Sequence, residues 1–415
     1  MKLLPSLVLF TRDLRTQKLR TFFALLGITW GTAAVVLLLA FGEGLRRCHS
    51  RQFHGMGDGI VIAWPQKTSM SFEGMPKGRF IRLRAEDVLK LSSEIPELEA
   101  VSPELSLWGQ PIVYGSGDYQ TYVGGVYPCF ADLRHIYPQS GGRFINEQDV
   151  EKRRRVIFIG DHMKKELFGD KKAVGETLFL QGIGFTVIGV LRPKLQTSTY
   201  GSGSDDERLA YIPASTMASV FGQDYINNFI YRATDPRRQS FVTQRVYQVL
   251  ARICGFDPSD TETLMLWDLS ETNKLIFYFF LGFNTLLGLC GVFTLMAGGI
   301  AVANIMYLLV GQKTGEIGIQ IAVGAKRRDI LVQFLLQSLV LVIAGGIAGF
   351  LISLILTTIM GIVPLPEQIG VPVMSPIVCF VTVILLGVVG LLAGYFPARR
   401  ASSLDPVRSL GFGGL

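Results

Sequence analysis

The chain is 415 residues long, with 49% hydrophobic residues, 18% charged residues and a formal net charge of +7. Soluble domains of ordinary composition carry about 25% charged residues, so a chain of two or three soluble domains is excluded and a membrane protein with one soluble part remains. High apolar content excludes disorder, the 46 glycines have no triplet period and so exclude a collagen-like rod, and five cysteines in this length make no disulfide framework.

In chain order, Leu7, Phe10 and Leu14 fall at helical spacing behind Pro5, which suits a first turn. Residues 1–21 are therefore read as an amphipathic helix lying in the membrane interface, with a frayed tail as the plainer alternative. No Asp, Glu, Lys or Arg occurs from Thr21 to Gly42, which places the first span at 22–42. This run is longer than the apolar region of about 7–15 residues in a signal peptide, and it ends Leu39-Ala40-Phe41-Gly42-Glu43 rather than in small residues.

Residues 43–272 read as a mixed α/β domain, large enough for its own core and for two subdomains. Val156–Ile159, Leu178–Leu180 and Phe185–Leu191 are short β-branched or aromatic runs bounded by Gly and Pro, hence strands. Ala85–Leu91 and Asp161–Phe168 read as short helices, and Thr199–Asp206 as a flexible loop. Charge-free intervals then run from Lys274 to Lys313, Asp329 to Glu367 and Glu367 to Arg399. Each exceeds the roughly 20 residues that a helix needs to cross the hydrocarbon. The first, 273–310, is too long for one straight crossing and too short for two, so its Lys274 end is expected to project as a stalk. The others place spans at 330–360 and 375–397, leaving loops at 311–329 and 361–374 and a tail at 398–415.

Charge orients this arrangement. Residues 43–275 carry 28 basic and 28 acidic residues, so the positive excess lies in the N-terminus, the Gly311–Asp329 loop and the C-terminal tail. Short loops rich in Lys and Arg stay cytoplasmic, whereas long domains translocate regardless of charge. Both termini are thus expected inside and residues 43–275 outside. Arg46, Arg47 and Arg51 oppose this bias from the outer face, but five basic residues precede the span.

No catalytic constellation is present. Gly311-Gln312-Lys313-Thr314 lacks the glycine spacing of a phosphate-binding loop, and neither C-x-x-C nor G-x-S-x-G occurs. His49 and His54 beside Cys48 fit no zinc spacing and are read as a solvated outer cluster. Lys152-Arg153-Arg154-Arg155 is read as a solvated edge rather than a polyanion patch, and no nucleic-acid partner is called for. Cys48, Cys129 and Cys254 face the oxidising side, where at most one intrachain disulfide is possible and spacing does not choose it. The spans hold no charge, which argues against an ion or substrate route through them. Gly27-x-x-x-Gly31, Gly345-x-x-x-Gly349 and Gly390-x-x-x-Gly394 permit close helix approach, within the chain or between two copies.

The loop from Gln312 to Ile330 mixes apolar and charged residues in a segment that must stay outside the bilayer. It is read either as a short helix docking into a groove on a cytoplasmic partner or as an ordinary basic topogenic loop.

Four stretches resemble the permease subunits of MacB/FtsX-like ABC transporters, the mechanotransmission or type VII class. They are Lys18–Ile28 at the first span, Glu316–Ile319 with Ala322–Ile330 in the inner loop, Pro397–Val407 after the last span, and Glu166–Gly169 through Val174–Glu176 and Phe185–Leu191 to Ala210–Pro213 in the outer domain. The resemblance implies a MacB-type periplasmic core and a permease that pairs with a second copy or relative. It also implies two cytoplasmic ATPase subunits on a separate chain, which would hold the ATP and Mg; no cofactor is expected in this chain. Glu316, Ile317 and Gly318, with Gly324, Ala325, Arg327 and Arg328, would couple to the ATPase. Gln320 stands where a basic residue is expected, which leaves an ion pair there in doubt. The expected function is a non-enzymatic permease for efflux or export, with a periplasmic adaptor or lipoprotein as further partner. Lipoprotein release, control of a cell-wall hydrolase and a membrane-anchored ligand receptor are the alternatives.

Overall fold

A computed structural model describes residues 18–194, 205–363 and 370–405. Most of the expected interfacial helix, Thr199–Ser204 of the expected loop, Glu367 and the tail from Pro406 lie outside the described residues. In chain order, α1 (Lys18–His54) leads into β1 (Ile60–Pro65), α2 (Ala85–Glu94), β2 (Leu98–Tyr114), β3 (Gly117–Val126), α3 (Phe130–Arg134) and α4 (Glu147–Glu151). There follow β4 (Val156–Ile159), α5 (Asp161–Phe168), β5 (Thr177–Leu180), β6 (Ile183–Val190), β7 (Ala210–Pro213), α6 (Ala214–Phe221), β8 (Asn228–Ala233), α7 (Gln239–Cys254) and β9 (Leu264–Asp268). The chain closes with α8 (Leu269–Gln312), α9 (Thr314–Ala322), α10 (Arg327–Ile362) and α11 (Pro376–Ser402).

Residues up to Cys48 and from Tyr278 onward form one unit, and His49 to Phe277 another. In the first, α1, α8, α10 and α11 are long and apolar enough to cross a membrane. They extend past the apolar runs that announce them: α8 has 44 residues, roughly 66 Å at 1.5 Å per residue. α11 continues through Pro397 to Ser402. The ring removes only the one N–H that would have reached the Ala393 carbonyl, a loss that a spanning helix tolerates.

In the second unit, β2 is the organising element because it pairs with three other strands. Its first half pairs with β8 from Leu98 to Glu104, and its second half with β3 from Leu105 to Tyr114. From β3 the sheet continues through β7, β4, β6 and β5 back to β2, closing a ring of six strands, while β8, β1 and β9 extend it on the other side. β3–β7 and β4–β6 are parallel, and the remaining pairs are antiparallel. Gly109, at φ +59°, sits in the register shift between Leu107 and Gln110, where an extra residue bends the strand. A single apolar cluster joins residues of β1, β2, β4, β5, β6 and β8 with α2 and α7. Amphipathic α2 and α7 bury Val88 and Leu91, and Val242, Val246 and Leu250, at helical spacing. Lys152 to Arg155 are exposed, as an edge would be.

Candidate coupling site

Between α8 and α10 the chain makes a separate nine-residue helix, α9. It does not simply continue α8, because Lys313 leaves helical geometry at φ −94°, ψ 13°. Thr314 Oγ1 then donates back to the carbonyls of Val310 and Gly311, at 3.0 and 2.9 Å. Hydroxyls bonded to backbone in this way offer the chain an alternative to the helical ladder.

The far end of α9 is fixed by Gly324. Its φ of +103° is open only to a residue without Cβ. Ala325 N donates to Gln320 O and Gly324 N to Ile321 O, both at 3.0 Å. This is the paired closure of a Schellman turn, and it uses two carbonyls that would otherwise end the helix unpaired. Lys326 is extended and starts α10, whose first turn carries Arg327, Arg328 and Asp329. The helix macrodipole favours acids there and disfavours cations, so the two exposed arginines owe nothing to helix stability.

The helix is two-faced. Ile317, 2% exposed, belongs to an apolar cluster with Ala24, Ile28, Met306, Ile330 and Ala398, and Gly318 is buried beside it. Ile317 is therefore a core residue of its own bundle, and the expectation that it enters a partner's groove is corrected: a side chain with no free surface has none to offer. Glu316, Ile319 (54% exposed) and Val323 (84% exposed) stand on the opposite face. Positions three and four apart on a helix share a side, so an acid and two large apolar groups form one exposed stripe. Lys313 Nζ lies 3.8 Å from Glu316 Oε2. Gln320 is half-buried, and Ala325 packs against the apolar cluster. Periodicity from Ile317 onward could have shown this, since 317 and 321 take one face and 319 and 323 the other.

The glycine spacings are occupied within the chain. A Cβ added at Gly27 would lie 3.4 Å from Gly298 Cα, and one at Gly31 would lie 3.1 Å from Leu295 Cα, so this face of α1 lies against α8. Cβ atoms at Gly345 and Gly349 would come within 2.8 Å of Ile28 Cγ2 and 2.7 Å of Thr32 Cβ, so the next face of α1 meets α10. Thr29 Oγ1 donates to Gly345 O at 3.2 Å across that contact. Gly390 and Gly394 receive Val342 and Ser338 of α10. Close approach of this kind maximises van der Waals contact where lipid supplies no hydrophobic drive.

Among the described residues no group of three or more His, Cys, Asp or Glu side chains is placed to hold a metal, and all five cysteines are free thiols. Burial raises the thiol pKa of Cys129, and that of Cys254 to about 11.

A MacB-like periplasmic core domain matches residues 21–248, and an FtsX-like permease C-terminal domain matches residues 288–406. The chain thus belongs to the MacB/FtsX-like family of ABC transporter permeases, whose members work with ABC ATPases. It is 30% identical to the macrolide export ATP-binding/permease protein MacB of Wolinella succinogenes, over 99% of this chain and 61% of that protein. It is 31% identical to the pyoverdine export ATP-binding/permease protein PvdT of Pseudomonas aeruginosa, over 95% of this chain and 56% of that protein. The chain thus spans about three fifths of the length of these relatives. The periplasmic region of MacB from Actinobacillus actinomycetemcomitans is similar at a TM-score of 0.43 and 19% identity, over 54% of this chain and 94% of that one.

Proposed function

We propose that this chain is the permease part of an ABC exporter, which turns ATP hydrolysis by two cytoplasmic ABC ATPase subunits into motion of its outer domain. The observation that carries the proposal is the exposed stripe of Glu316, Ile319 and Val323 on α9, held between two spanning helices by a helix break and a glycine turn. An apolar ridge with a flanking acid fits the helix-in-groove mode of recognition. Arg327 and Arg328 then hold α9 on the cytoplasmic side against the membrane surface, as positive loops do. Both termini are cytoplasmic and residues 43–272 periplasmic in this reading, with the strand ring and its extension acting as two subdomains.

The permease functions with a second copy or relative, and substrate moves through the outer domain and its adaptor or lipoprotein partners rather than through the spans. The uncharged apolar intervals of the four long helices support that route. Replacing Ile319 and Val323 together by Arg is expected to abolish copurification of the ATPase from native membranes while the chain still inserts. Full recovery of the ATPase would refute the docking role.

A further inference from the structure

The outer domain contains a buried ionic knot with no part in the coupling site. Asp206, 1% exposed, accepts hydrogen bonds from Arg134 Nη2 at 3.0 and 3.1 Å and from the Tyr211 hydroxyl at 3.0 Å. Lys194 Nζ lies 2.6 Å from its other side. Burial alone would push this carboxyl up, but Arg134 and Lys194 outweigh burial and hold it below the usual carboxylate range, so it stays ionised.

Both cations also donate to backbone. Arg134 Nη1 donates to Met56 O at 2.7 Å, and Lys194 Nζ donates to Gly55 O at 2.8 Å and to Arg134 O at 2.9 Å. Gly55 and Met56 are the first two residues after α1. Gly57, at φ +116°, lies so close to the Leu133 carbonyl that no side chain fits there. Met56 and Leu133 share a buried cluster with Leu269, the first residue of α8. The two points where the chain joins its long helices therefore meet in one cluster, under one knot.

Stability does not account for this chemistry. A buried ion pair replaced by apolar residues of similar volume often leaves a protein equally or more stable. What charge supplies here and an apolar core cannot is a directional hold on two named carbonyls.

We propose that Arg134, Asp206 and Lys194 form a clamp that grips the chain where it leaves α1, so that displacement of that helix passes into the outer domain without slack. The clamp takes its use from the permease reading, but its rigidity is measured without an ATPase. The test uses the 415-residue chain with its five cysteines replaced, in lipid nanodiscs, carrying spin labels at Ser50→Cys, near the end of α1, and Lys172→Cys, both within the second unit. The parent is expected to give a narrow interspin distance distribution. The combined Arg134→Met, Asp206→Leu, Lys194→Met variant is expected at least to double its width with an unchanged melting temperature. Lys194→Met alone, which releases Gly55 but leaves Arg134 paired with Asp206, is the second variant should the first not fold, and a clear broadening is expected. Equal widths in parent and folded variants would overturn the clamp and leave the permease reading standing. Copurification of the ATPase decides that reading separately.

Discussion

In the membrane unit, helices meet where side chains are missing, at Gly27, Gly31, Gly298, Gly345 and Gly349. In the outer unit, the bulkiest fully buried side chains include Arg134, Tyr211, Tyr231, Phe130 and Phe158, and the first two belong to an ionic knot. The difference follows from the solvent each unit meets. Lipid tails are as apolar as leucine, so helices there gain most by bringing backbones together. Water rewards burial of large apolar and aromatic surface, and the polar atoms drawn in with it must find partners.

The largest expected effect is in the outer unit. Asp206→Asn leaves two buried cations facing a neutral group, and losing one partner of such a cluster costs about 3–5 kcal/mol. Urea unfolding followed on the outer-domain tryptophans checks this. A loss below about 1 kcal/mol would show that Arg134 and Lys194 find other partners easily, and the contrast between the two units would weaken.

Next comes the glycine side of the comparison. Gly31→Val and Gly349→Val place carbon atoms where a backbone or β-carbon already lies. Overpacking typically costs about 1–3 kcal/mol, and here the helices can escape it only by separating. Lower recovery of folded chain after detergent challenge is the expected result. Gly361→Val, where nothing lies within 4 Å, is expected to behave like the parent. Equal behaviour of all three would remove close approach as the basis of the bundle.

Much of this was legible in the sequence, for reasons that also set the limits. The spans were visible because crossing hydrocarbon demands some twenty consecutive apolar residues, but the ends of α1 and α11 were not, since a helix need not stop where the lipid does. Strands β4, β5 and β6 could be read from β-branched runs, and α2 and α5 from helical spacing. Ile317 was misassigned because the isoleucines at 317, 319 and 321 were not sorted by helical face, although 317 and 321 fall on the side away from Glu316. Asp206 stood at the edge of a Gly/Ser/Asp run read as a loop, and its partner Arg134 lies 72 residues earlier. Burial is what makes that pairing matter, and burial is a property of the fold.

Acid offers a milder test confined to the outer unit. Burial raises the carboxyl pKa of Asp149, but Arg143, the Asn146 N–H and Arg154 outweigh it and lower it overall; Ser69 and neighbouring N–H groups do the same for Asp260. A group whose folded pKa is depressed adds stability above its unfolded value of about 3.9, and loses it as pH falls through the folded value. Outer-domain melting is therefore expected to be flat from about pH 6 to 8 and to fall below about pH 4, with Asp149→Asn lowering the plateau and shrinking the acid-dependent drop.

The smallest effect expected is at the surface of the same unit. Arg252 Nη1 lies 3.0 Å from Glu94 Oε2, a pairing between α7 and α2 at side chains 69% and 36% exposed. Water screens both ends and holding two long side chains costs entropy, so pairs of this kind contribute about 0.2–1 kcal/mol. Arg252→Ala is expected to shift the urea midpoint by no more than that, and the shift is expected to vanish in 0.5 M salt, where the screening length falls well below about 8 Å. The Asp206 effect is expected to survive the same salt, because its partners exclude the solvent that would carry the ions. Equal salt sensitivity at the two sites would mean that the knot is wetter than its geometry requires, and that its hold on Gly55 and Met56 is correspondingly loose.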